Sequence, residues 1–192
     1  MRENILLVFF SALLVFSVLM LFVGNATRVT GYAVSTTVSN VTISGYVSMS
    51  LSTNLSSGIL FGTVSNLPAV YANASHNYDG GSSMSTMFVN ISTDSNSAVD
   101  LCTKANANMQ DAGTDTIGIA NETYANSTTS DTSSPAIANN VSFTTSYVSA
   151  GKAVARGSQQ YYRVWISIPV GQAMGTYNNT LSFEGVSTGG AC

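Results

Sequence analysis

Apolar and polar residues alternate along most of the chain beyond residue 26, with a period of two rather than 3.6. Val41 and Ile43 fall on one face, with Asn40, Thr42 and Ser44 opposite; Val47, Met49 and Leu51 then oppose Ser48, Ser50 and Ser52. A β-strand sends successive side chains to opposite faces, so this pattern marks half-buried strands and excludes amphipathic helices. It predicts strands in Val38–Thr53, Gly58–Val64, Met84–Thr93, Ala98–Lys104, Val141–Val148, Tyr161–Val170 and Thr176–Val186. Asn66-Leu67-Pro68 ends the second, and Asp94–Ser97 reads as the turn joining the third and fourth. Residues 72–83 read as a loop around Asp79-Gly80-Gly81. Residues 106–139 are the least regular, an excursion rich in Ser, Thr and Asn with Ile117-Gly118-Ile119 as a short strand inside it. Near the end, Tyr162, Val164, Ile166 and Ile168 share one face, as do Tyr177, Leu181 and Phe183. Pro169 and Gly171–Gly175 make a corner between them, a hairpin or a crossing between sheets. Trp165 reads as a packing aromatic. Short strands at this spacing define an all-β chain, an antiparallel β-sandwich of jelly-roll-like or immunoglobulin-like type.

The first 26 residues differ. Ile5 to Val23 is apolar apart from Ser11 and Ser17. That length lies between the core of a signal peptide and a spanning helix of about 20 residues. Residues 1–26 are therefore a signal peptide or an N-terminal membrane anchor, 27–36 a linker or donor segment, 37–186 the β-sandwich domain and 187–192 a tail. Gly24-Asn25-Ala26 offers a small-residue cleavage site. Either way the remainder is exported, extracellular or at the cell surface.

Charge is sparse. Charged residues make up 8% of the chain and the formal net charge is −3, so 29 Ser, 21 Thr and 17 Asn carry most of the polarity. No basic run exists, which argues against nucleic-acid partners.

Few residues could do chemistry. His76 is the single histidine, with Ser75 and Asp79 nearby, but sequence neighbours rarely converge into a catalytic triad. Asp94-x-Asn96-x-x-x-Asp100 and Asp111-x-x-x-Asp115 resemble pieces of Ca²⁺ loops, yet each lacks the Gly and the bidentate Glu. No cofactor, metal site or catalysis is expected. Cys102 and Cys192 are the only cysteines; in an exported chain they are expected to pair within the chain, with a bond between subunits or free thiols as the alternatives. Asn-x-Ser/Thr acceptor sequences stand at Asn25, Asn40, Asn54, Asn73, Asn90, Asn121, Asn126, Asn140 and Asn178, where roughly four would arise by chance from this composition. Those after Asn25 are glycosylation candidates.

Two stretches carry a resemblance. Gly58-Ile-Leu-Phe-Gly-Thr-Val64 resembles an early strand of small secreted β-sandwich proteins, and Ile168-Pro-Val-Gly-Gln-Ala-Met-Gly-Thr-Tyr-Asn-Asn-Thr-Leu-Ser-Phe183 is similar to the ending of archaeal and bacterial cell-surface proteins. That set includes TasA-type fibre subunits and archaeal bundling pilins. The resemblance implies a filament or envelope subunit that self-associates by strand donation, with Thr27–Val38 as donor. The alternative is a membrane-anchored adhesin or ligand-binding ectodomain, taking a surface glycan or protein through Tyr161, Tyr162, Trp165 and residues 106–139.

Overall fold

The structure, a computed structural model, describes residues 10–18, 37–80 and 83–192. The chain divides into two units, Met1–Thr42 and Ile43–Cys192. In the first, residues 10–18 form a helix, α1, exposed throughout, and residues 37–42 are exposed and outside helix or strand. The expected cleavage site and residues 27–36 lie outside the described residues. No described helix is long and apolar enough to cross a membrane.

The second unit is mostly β. Its described strands are β1 (Met49–Leu51), β2 (Ala69–Asn73), β3 (Met87–Ile91), β4 (Val99–Ala105), β5 (Met109–Gln110), β6 (Thr116–Ile117), β7 (Glu122–Ser127), β8 (Val141–Ser142), β9 (Val148–Val154), β10 (Gln159–Ile168) and β11 (Leu181–Ser187). They pair antiparallel. A six-stranded sheet runs β1-β3-β10-β7-β8 with β2 also on β10; a three-stranded sheet runs β11-β4-β9; β5 and β6 pair alone.

Several expected strands shift. Most of Val38–Thr53 stays outside a ladder, and a short helix, α2 (Thr53–Ser56), follows β1, capped by the Ser52 hydroxyl. Gly58–Val64 is not a strand: Gly58 and Gly62 sit at φ +105° and +67°, in the left-handed region that breaks a ladder. Strands β3 and β4 are not a hairpin, because they belong to different sheets. The stretch 106–139 hides β7, whose residues Glu122–Ala125 are all buried and so show no alternation. Strand β9 was likewise illegible, and the expected Val141–Val148 strand shrinks to β8. The last two strands join different sheets, so Pro169–Gly175 is a corner between sheets.

The two larger sheets share one core. Met87, Val89, Tyr124, Tyr162 and Val164 pack with Val99, Leu101, Ala150 and Val154. The Tyr162 ring meets Phe183 edge-on at 5.2 Å, and its hydroxyl donates to the Ala150 carbonyl at 2.8 Å.

Strand β10 organises this arrangement. One edge pairs with β7 over Tyr161–Ile166; the other is taken by β3 up to Tyr162 and by β2 from Trp165. The gap between β3 and β2 is sealed by side chains. Asn77 accepts from Val164 N–H and donates to its carbonyl, at 2.8 and 2.7 Å, and the Ser85 hydroxyl donates to the Tyr162 carbonyl. A buried backbone group without a partner is costly, so these contacts complete the accounting.

Arg163, in that gap, is 1% exposed. Its Nε donates to Asn77 O at 2.8 Å, Nη1 to Pro135 O at 2.9 Å, and Nη2 to Ser83 O at 2.8 Å and to Asp131 O. The guanidinium lies 4.3 Å from the Tyr78 ring centre. Burial pulls its pKa down, opposed by Tyr78 and the Asp131 carboxylate, but arginine stays charged. Backbone oxygens thus solvate a buried cation and pin two loops to the sheet.

Arg163→Met leaves those carbonyls without donors. The expected loss is about 3–5 kcal/mol, with a smaller loss for Arg163→Lys, read from denaturant unfolding of the oxidised protein.

Candidate functional site

Cys102 on β4 and Cys192 at the terminus form a disulfide within the chain, Cα to Cα 5.5 Å and 90 residues apart. The tail is held there by further bonds: Thr188 N–H donates to Ala98 O at 3.1 Å and Gly189 N–H to Asp100 Oδ2 at 2.9 Å. The other Asp100 oxygen accepts from Ala153 N–H at 2.7 Å, beside a register shift between β4 and β9. The disulfide is compatible with an oxidising compartment. Replacing both cysteines by serine is expected to cost about 2–5 kcal/mol, read from unfolding midpoints.

His76 does meet a carboxylate and a hydroxyl. Its Nδ1 bonds Asp79 Oδ2, the same oxygen accepts from Thr86 Oγ1 at 3.1 Å, and Asn54 Nδ2 donates to Thr86 Oγ1 at 2.7 Å. His76 first, then Thr86, holds the Asp79 carboxyl below its usual range. The hydroxyl of this cluster bonds the carboxylate, and among the described residues no hydroxyl bonds the imidazole. The Ser85 hydroxyl, one residue before Thr86, donates to Tyr162 O. The cluster closes the loop that Arg163 anchors.

The Ca²⁺-like fragments are turns. Asp111 Oδ1 accepts from Gly113 and Asp115 N–H at 2.9 and 3.1 Å. Asn96 clamps the chain before β1: its Oδ1 accepts from Tyr46 N–H at 2.7 Å and its Nδ2 donates to Ser44 O at 2.8 Å. No group of three metal-ligating side chains occurs among the described residues.

The glycosylation candidates divide. Asn40, Asn73 and Asn178 are exposed; Asn54, Asn90, Asn121, Asn126 and Asn140 are half-buried. The amide nitrogen a glycan would use is engaged at Asn54, by Thr86, and at Asn140, which donates to Ile137 O at 2.6 Å. Asn73 Oδ1 accepts from Trp165 Nε1 at 2.8 Å, and Asn126 Oδ1 from Gln160 Nε2 at 2.8 Å. Asn25 lies outside the described residues.

The aromatic platform is not formed: Trp165 and Tyr162 are buried, and Tyr161 packs edge-on against Phe88 at 5.6 Å. Two surface grooves stand in its place, neither legible in the sequence because each is built from segments far apart. One, about 450 Å³, is polar, lined by Asn106, Asn108, Gln110, Asp111, Asn178 and Asn179 among others. The other, about 790 Å³, is largely apolar and lies between residues 59–65, the β5–β6 pair and the 172–177 corner.

Glu122 lies near the polar groove. It is 2% exposed, and Asn179 Nδ2 donates to its Oε2 at 2.8 Å. Burial raises its carboxyl above the usual value, and the Asn179 bond only partly opposes this. The folded protein therefore holds this proton more tightly than the unfolded chain. That favours the fold below the ordinary glutamate pKa, and the advantage is lost as pH rises through the folded value. Glu122→Gln keeps an acceptor for Asn179. It is expected to raise the melting temperature above wild type at pH 8 and to match it near pH 4, checked by thermal unfolding at both pH values.

No family model, no curated protein and no solved structure matches this chain.

Proposed function

We propose that this chain is a non-catalytic structural protein of the cell surface. Its exported part is a β-sandwich, and its copies associate by donating the segment around residues 37–43 to a neighbour. One observation carries the reading. Val38, Val41 and Ile43 are 92%, 82% and 79% exposed. Among the described residues, that segment makes no backbone hydrogen bond; the chain is first gripped at Ser44–Tyr46 by Asn96. Val41 and Ile43 share one parity and are bare in water, and a β-branched segment of this kind can pair as a strand with another chain.

Other features support the reading. Two sheets contributing to one core fit a sandwich. The disulfide fits export.

The polar groove favours the alternative, a tethered ectodomain that binds a hydroxyl-rich ligand through amides. Its lining contains no basic side chain, and the expected aromatic contacts are buried.

Size-exclusion chromatography and negative-stain microscopy of the full-length chain test the reading. The wild type is expected to form species larger than a monomer. Val41→Asp with Ile43→Asp is expected to be monomeric with an unchanged melting temperature, because both side chains are exposed. A wild type that stays monomeric at about 100 μM would overturn self-association as an intrinsic property.

A further inference from the structure

We infer that Asn178 carries an N-linked glycan and that the polar groove beside it holds the first sugars of that glycan. The inference needs only the export contained in the proposed reading, not self-association.

Asn178-Asn179-Thr180 leads into β11, and all three residues line the groove of about 450 Å³. Their backbone is fixed by the chain opposite. Asn178 N–H donates to Gln110 O and its carbonyl accepts from Gln110 N–H, both at 3.0 Å. Thr180 N–H donates to Asn106 Oδ1 at 2.8 Å, and its carbonyl accepts from Asn106 N–H at 2.9 Å. In an extended chain, positions i and i+2 share a face. Asn178 and Thr180 are accordingly both exposed, while half-buried Asn179 between them donates to Glu122. The Asn178 carboxamide and the Thr180 hydroxyl make no hydrogen bond among the described residues. The acceptor nitrogen and the hydroxyl that completes its recognition sequence thus both face water.

The other acceptor sequences lack this combination. A glycan on Asn54 would displace the bond from its Nδ2 to Thr86, and one on Asn140 the bond to Ile137 O. Asn73 and Asn126 commit their Oδ1 to Trp165 and Gln160. Asn90 and Asn121 are half-buried. Asn40 is exposed but lines neither groove.

The groove suits a sugar. Asn106, Asn108, Gln110 and Asn179 present carboxamides, which donate and accept without charge, as sugar hydroxyls do. A glycan tethered at Asn178 meets these amides at high effective concentration, so weak polar contacts are enough to hold it. Its attachment draws on a polyprenyl-diphosphate-linked sugar. A bond forms between Asn178 Nδ2 and the anomeric carbon, the bond from that carbon to the lipid diphosphate breaks, and the amide releases one proton. Nothing is oxidised or reduced.

Full-length chain recovered from the medium of a glycosylating eukaryotic host tests the site, with chain made in a host that lacks N-glycosylation as comparison. Glycopeptide mass spectrometry of the secreted chain is expected to find Asn178 occupied and Asn54 and Asn140 bare. Asn178→Gln is expected to lower the melting temperature of the secreted protein by about 2–4 °C and to leave that of the unglycosylated protein unchanged. Asn40→Gln is expected to change neither. A bare Asn178 in the secreted chain would overturn the site. An occupied Asn178 whose replacement shifts neither preparation, or shifts both equally, would overturn the groove contact. Neither result bears on self-association, which chromatography reads separately.

Discussion

The buried guanidinium of Arg163 is the contact on which most of the second unit depends. A cation taken out of water is tolerated only when its donors are satisfied. Here the oxygens come from Asn77, Ser83, Asp131 and Pro135, on two separate loops. Meeting that demand fixes where both loops lie. It also places Asn77 to complete the Val164 backbone and Ser85 to complete that of Tyr162. Strand β10 can then be buried on both faces, with Tyr162 and Val164 in the shared core, Ile166 in the smaller cluster with Met109 and Ile117, Arg163 beneath the loops and Trp165 bonded to Asn73 of β2.

Acid–base behaviour follows from the same scarcity of charge. The Asp79, Asp100 and Asp131 carboxyls are all held low by hydrogen bonds, from His76, from backbone amides of Ala153 and Gly189, and from Ser133 respectively. Groups of this kind add stability above their ordinary pKa and lose it as pH falls through the folded value. Buried Glu122 works in the opposite sense. Falling pH therefore weakens the aspartate contributions while rising pH weakens that of Glu122.

The legible parts of the fold were those whose apolar residues alternate in the sequence. Strand β3 follows that alternation in its burial, and Tyr162, Val164, Ile166 and Ile168 keep one parity along β10, whereas β4 is buried at Leu101, Cys102 and Thr103 in succession. Fully buried β7 was read as loop because burial on both faces removes the period. Gly58–Val64 was read as strand because pattern alone does not show that Gly58 and Gly62 take positive φ. Of the candidate site residues, the cysteine pair was legible because only two thiols exist. Arg163 and Glu122 were not, since an isolated charge in a polar chain looks like surface until its partners, 28 to 86 residues away for Arg163, are known.

By itself the sequence determined a β-rich chain of low charge with two cysteines available to pair and an unusual first segment. Those properties are local: side-chain parity, composition and a cysteine count. Tertiary structure decided which strands share a sheet, that His76 and Thr86 meet on the Asp79 carboxylate, and that one end of β10 lies under a groove. Each of these depends on residues distant in sequence meeting in space, and hydrophobic alternation carries no information about which strand a given strand will pair with.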